Sequence, residues 1–136
     1  EAALVAALDA GGHTALSLVA VAGDAVVGHV LLSLLAWSGE GRLLALAPVG
    51  VVPTQQRRGV GSGLIRAALG QAQAAGYRAV VVLGDPAYYS RFGFSVAAAA
   101  GVRCPYSGEH LMAVDFAPER GPLVGEATYA PPFAAL

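Results

Sequence analysis

Apolar residues occur along this chain in short bursts, and the spacing between them changes from segment to segment. Residues 14–21 and 26–35 alternate loosely and are rich in valine and leucine, the pattern of half-buried strands. Ala22-Gly23-Asp24 lies between them, so the two predict a hairpin. Ser38-Gly39-Glu40-Gly41 marks a second turn, and residues 42–52 form a third extended run suited to antiparallel pairing. Pro53 ends that run because proline has no N–H for the ladder. The period then changes to that of a helix. Leu64, Ile65, Ala68, Leu69 and Ala72 share one face, and Gly76 supplies a left-handed stop. Residues 79–83 are wholly apolar and mostly β-branched, which suits a strand covered on both faces. Strand, helix and strand in this order predict a right-handed crossover between parallel neighbours. Asp85 caps a short helix with Pro86 in its first turn, and Gly93 ends it.

The two ends of the chain are less regular. Residues 1–10 read as a helix closed by Gly11-Gly12. Residues 111–116 read as a strand, and residues 121–136 as an irregular arm or strand, since Pro131-Pro132 disfavours a long helix. The expected fold is α/β: a mixed, mainly antiparallel sheet with helices on both faces, in one domain over residues 1–136.

Composition narrows the function. At 136 residues the chain is long enough for a core of its own. Its hydrophobic fraction is 56 % and its mean hydropathy +0.60, which is high, so a membrane segment has to be considered. No apolar run approaches the ~20 residues that span a bilayer, and no charged leader precedes an apolar segment. The expectation is a cytoplasmic protein with no membrane partner. The net charge of −1 gives no reason to expect a nucleic-acid partner. Cys104 has no second cysteine for a disulfide and cannot hold zinc alone; it reads as a small buried or half-buried residue, and no metal is expected.

Candidate chemistry concentrates in Val51-Val52-Pro53-Thr54-Gln55-Gln56-Arg57-Arg58-Gly59-Val60-Gly61-Ser62-Gly63. An apolar run ends at a proline, a basic segment follows, and three glycines alternate at the start of a helix. Each glycine costs about 0.5–1 kcal/mol against alanine, and the adjacent arginines repel each other. A glycine-rich turn alone explains neither cost. Backbone N–H groups, the helix dipole and the Arg57-Arg58 pair together suit a pyrophosphate. A Walker loop is excluded because no Gly-Lys-Ser/Thr follows. A dinucleotide fingerprint fits poorly: Leu64 stands where the third glycine belongs, and Asp85, the acidic residue after the next strand, is better used as a cap.

Gln56-Arg57-Arg58-Gly59-Val60-Gly61 resembles the Gln/Arg-x-x-Gly-x-Gly/Ala motif of the GCN5-related N-acetyltransferases. About 30 residues on, Tyr89-Ser90-Arg91-Phe92-Gly93-Phe94 resembles the Tyr-x-x-x-Gly-Phe segment of the same family. The likeness covers roughly residues 2–116. It implies a sheet splayed between the strand ending at Val52 and residues 79–83, with acetyl-coenzyme A as co-substrate in the gap. It implies that Val51 and Val52 pair their backbone with the pantetheine arm, and that Gln56, Arg57, Arg58, Gly59, Val60, Gly61 and Ser62 hold the pyrophosphate. It implies that Tyr89 protonates the departing thiolate. The family also carries a strand and a helix ahead of the point where this sequence starts; both are expected to be missing. The implied activity is transfer of an acetyl group to a primary amine, on a small molecule or a peptide. A non-catalytic coenzyme A sensor or scaffold is the alternative. A homodimer is compatible with the apolar composition.

The family often takes its base from a glutamate on the strand that residues 42–52 would form, yet that run holds no carboxylate. Glu40, in the preceding turn, and Glu109 and His110, which open the late strand, are the candidates, each also readable as a solvated surface group. Tyr88, His13, His29, Arg91, Arg103, Arg120 and Trp37 have ordinary packing or surface readings; the arginines could also meet phosphates, and Trp37 the acceptor.

Overall fold

The computed structural model describes residues 4–8, 14–46, 50–51, 59–105 and 108–128. Seven strands form the main sheet: β1 (Leu4–Leu8), β2 (Thr14–Ala22), β3 (Ala25–Leu34), β5 (Leu43–Leu46), β6 (Gly50–Val51), β7 (Ala79–Leu83) and β9 (Leu111–Asp115). Their order is β1-β2-β3-β5-β7-β9, with β6 beside β3. The β5–β7 pair is parallel and every other pairing in this sheet is antiparallel. Helix α1 (Val60–Ala74) supplies the crossover between the parallel neighbours, as the sequence pattern predicts.

Alternation along the central strands builds two cores. Leu44, Leu46, Val80, Val82 and Met112 point to one face, where α1 buries Leu64, Ile65, Ala68, Leu69 and Ala72 against them. Leu43, Ala45, Ala79, Val81, Leu111 and Ala113 point to the other. Strand β7 is therefore covered on both faces, the condition its unbroken apolar run required. The short helix α2 (Pro86–Tyr89) joins α1 on the first face through Tyr88 and Tyr89. Among the described residues the second face is covered differently, by a 3₁₀ turn at Ala97–Ala99 and a small sheet. That sheet consists of β4 (Ala36–Trp37), β10 (Gly125–Thr128) and β8 (Val102–Arg103).

Helix α1 ends as its sequence predicts. Gly76 has φ 88°, its N–H bonds the Gln73 carbonyl at 3.1 Å, and the Tyr77 N–H reaches the Ala72 carbonyl at 3.1 Å. These two bonds satisfy carbonyls that the helix end leaves open.

Two expectations need correction. Residues 1–10 do not carry a helix: Leu4–Leu8 is β1, laid antiparallel on β2 from Leu4 opposite Val21 to Leu8 opposite Ser17. A helix this short is marginal alone, whereas the edge of β2 offers a row of backbone partners. The extended run over residues 42–52 divides into β5 and β6. On β3, Leu32 faces Leu46 but His29 faces Gly50, so three steps on one strand match four on the other. One extra residue breaks the register, as at a bulge, and redirects the backbone beyond it.

Candidate active site

Helix α1 starts at the C-terminal side of β6, and α2 follows the C-terminal end of β7. Because β5 and β7 run parallel, both helix starts lie at one end of the sheet. The sheet opens there. Among the described residues, β7 pairs with β5 only at Ala79, Val80 and Val81, while β6 pairs with β3 alone. Val82 and Leu83 keep their partners on β9, so β7 has no described partner toward β6 at this end. The result is a crevice with a backbone edge on each wall.

The start of α1 is at the crevice. Gly59 has φ 80°, a conformation that suits glycine. The Gly63 N–H bonds the Gly59 carbonyl at 2.9 Å, so the amides of Val60, Gly61 and Ser62 precede the first intrahelical bond. The first turn holds no acidic residue, and among the described residues no side chain caps it, since Gly59 at the cap position has none. The partial positive charge of the helix end is thus left for a ligand, and an anion is the chemistry that fits. Of the expected cofactor-binding residues, Gly59, Val60, Gly61 and Ser62 are at this helix start, and the backbone of Val51 is on the β6 edge. Val52, Gln56, Arg57 and Arg58 lie outside the described residues.

Tyr89 ends α2. Asp85 caps that helix by accepting from the Ala87 N–H at 3.0 Å, which confirms its structural use. The Tyr89 ring is half-buried and stands edge-on to Tyr88 at 5.0 Å and to Phe94 at 5.7 Å. It also lies against Gly84, where an added Cβ would meet the ring. Burial holds the Tyr89 phenol above the usual tyrosine range, and Tyr88 beside it adds to the effect. The hydroxyl therefore carries its proton throughout the neutral range.

His110 and Glu109 belong to the same end. The Gly84 N–H donates to the His110 carbonyl at 3.1 Å, and the His110 Nδ1 lies 3.4 Å from the Gly84 oxygen. Glu109 Oε1 is 3.7 Å from His110 Nε2, and both side chains are exposed. Glu40 does not belong to this end. It lies 3.9 Å from Arg78 and 3.7 Å from Arg120, beside the residue that precedes β7. Trp37 packs against the second core and donates its Nε1–H to the Glu40 carbonyl at 3.2 Å. Arg103 lines a shallow groove of the small sheet with Cys104, Glu126 and Thr128. His29 is exposed on β3, and His13 lies outside the described residues. No group of three or more metal-ligating side chains occurs among the described residues. No helix there is long and apolar enough to cross a membrane.

Two contributors escaped the sequence. Gly84 admits the Tyr89 ring, and its only local sign is its place between an apolar strand and a capping aspartate. Arg66 lies on the polar side of α1, with its Cζ 4.9 Å from the centre of the Phe92 ring. That contact joins α1 to the segment of Tyr89.

A splayed mixed sheet, a glycine-led helix start at its open end and a half-buried tyrosine after the next strand define a small α/β protein whose crevice suits an anionic ligand. The chain belongs to the Acetyltransferase (GNAT) family, whose profile matches residues 3–94. It is 39 % identical over 110 residues to YhbS of Escherichia coli K12, named an uncharacterised N-acetyltransferase, a match covering 79 % of this chain and 66 % of that protein. The similarly named YjhQ of the same strain is 39 % identical over 112 residues, covering 78 % of this chain and 62 % of that protein. The chain thus spans just under two thirds of the length of these curated relatives. Among solved structures, the Escherichia coli YhbS complex with CoA superposes with a TM-score of 0.81 at 32 % identity, over 90 % of this chain and 71 % of that one. A GNAT family acetyltransferase from Brucella melitensis, in complex with acetyl-CoA, gives 0.68 at 34 % identity, over 88 % and 68 %.

Proposed function

We propose that this protein transfers an acetyl group from acetyl-coenzyme A to a primary amine of a small molecule or peptide, by direct attack within a ternary complex. The observation that carries the reading is the uncapped start of α1 at the open end of the sheet, in a chain of the GNAT family. The CoA and acetyl-CoA complexes of the YhbS and Brucella proteins support the choice of co-substrate.

In this reading the amides of Val60, Gly61 and Ser62, with Gln56, Arg57, Arg58 and Gly59, hold the pyrophosphate. The main chain at Val51 and Val52 aligns the pantetheine arm as an added strand does, and an N–H there stabilises the oxyanion. Acetyl-coenzyme A supplies the thioester carbon. The deprotonated amine forms the new C–N bond, the C–S bond breaks, and Tyr89 gives its proton to the departing sulfur. Glu109 and His110 are the described titratable pair at this end that can take the proton of the amine, directly or through water. The protein works as a single domain in the cytoplasm, where acetyl-coenzyme A is available.

A non-catalytic coenzyme A-binding role is the second reading, favoured by the lack of any carboxylate in residues 42–52. Calorimetric titration with acetyl-coenzyme A, paired with thiol release across a panel of amines, separates the two. Binding with turnover supports the transferase; tight binding with no turnover on any amine supports the sensor. Absence of binding by folded protein refutes both.

A further inference from the structure

We propose that Arg66 and Arg91 form a clamp for the 3′-phosphate of the cofactor, so that the protein discriminates coenzyme A from its 3′-dephospho form; this rests on the coenzyme A reading above. The two arginines come from different elements, α1 and the 3₁₀ turn Ser90–Phe92 that follows α2. They meet at one aromatic ring. The Arg66 Cζ is 4.9 Å and the Arg91 Cζ 5.5 Å from the centre of Phe92, which is buried and so gives them a fixed platform. Arg91 also lies 4.5 Å from the Tyr88 ring centre, and its Nε–H donates to the Tyr88 carbonyl at 3.2 Å.

Such stacking holds a guanidinium by its face and leaves the outer N–H groups directed at solvent. Among the described residues no carboxylate pairs with either arginine, although Arg78 and Arg120 are both paired. Both side chains are exposed, so this is a positive patch with no counter-charge of its own. Planar donors of this kind suit the oxygens of a phosphate monoester.

Its position fits one part of the cofactor. Arg66 follows Ser62 by four residues and shares its side of α1, about one helical turn of 5.4 Å from the amides at the helix start. In coenzyme A the 5′-pyrophosphate and the 3′-phosphate are separated by one ribose. A pyrophosphate on those amides would bring the monoester within the reach of a long arginine side chain.

The test is calorimetric binding of coenzyme A and of 3′-dephospho-coenzyme A to the full chain and to Arg66→Gln, Arg91→Gln and the double variant. Thermal melting would check that each variant is folded. The expected result is about a tenfold preference for coenzyme A in the wild type, shrinking as salt is raised. Each single variant lowers it, and the double variant binds both compounds with the weaker affinity of the dephospho form. Equal binding of the two by the wild type overturns the clamp and leaves the coenzyme A reading standing. So does an equal loss of both ligands in the variants, which would mark the arginines as supports of α2. Failure of the wild type to bind either compound overturns the clamp together with the reading beneath it.

Discussion

At the start of β7, Arg78 is 6 % exposed and its guanidinium is fully engaged. It meets both oxygens of Asp115 at 2.8 and 3.1 Å and the Gly121 carbonyl at 2.7 Å, with Glu40 at 3.9 Å. Asp115 also accepts from the Ala117 N–H at 2.9 Å. At the other end, beyond Val81, β7 has parted from β5, three helix amides have no intrahelical acceptor, and an ionisable phenol stands half-buried among aromatic rings. The same strand thus has one end where polar groups satisfy one another and one where they do not. The closed end fixes β7 against β9, because an unpaired charge at that depth would be costly. That rigidity lets the open end keep donors that have no acceptor among the described residues, and such donors are what a ligand can use.

The comparison can be broken most strongly at the closed end. Asp115→Ala would leave Arg78 buried without its carboxylate and cost about 3–5 kcal/mol in urea unfolding at neutral pH. Arg78 holds the Asp115 carboxyl below its ordinary range, chiefly through their hydrogen bonds. A group depressed on folding contributes stability above its unfolded pKa of about 3.9 and loses it as pH falls through the lower folded value. The gap between wild type and variant should therefore narrow below about pH 4.

The next effect belongs to the chemistry. Tyr89→Phe should lower acetyl transfer about a hundredfold with little change in melting temperature, read as thiol release with any amine that turns over. The raised phenol pKa puts the loss of activity on the alkaline side, above about pH 10, and the variant should lack that limb. Gly84→Ala places a methyl group where the Tyr89 ring lies, so about 1–3 kcal/mol of stability and part of the activity should be lost together. The smallest expected effect is Gly61→Pro. It removes one amide from the second helical position, where no intrahelical bond is lost, and should weaken acetyl-coenzyme A binding about tenfold while the fold survives. Unchanged affinity in that variant would remove the α1 amides from the site.

Elements whose cause is local were legible in the chain. The α1 face, the Gly76 stop, the Asp85 cap and the Gly93 termination follow from residues within a turn of each other. The glycines at 59, 61 and 63 marked the candidate site because their conformational cost argues for a ligand, and Gly59 has φ 80°. The segment over residues 1–10 misled because its leucines and alanines suit either period, and the edge of β2 decided for a strand. Glu40 was near the right strand in sequence but at its wrong end, since a strand separates its two ends as widely as it is long.

By itself the sequence determined that a strand ends in a basic, glycine-rich turn, that a helix follows, and that a tyrosine comes after the next strand. Only the tertiary structure decided that β5 and β7 part after three residue pairs, that Gly84 makes room for Tyr89, and that Arg66 and Arg91 converge on Phe92. The reason is physical. Caps, turns and helix faces arise from interactions within a few residues, whereas a crevice and its charges depend on which distant side chains the packed sheet brings together.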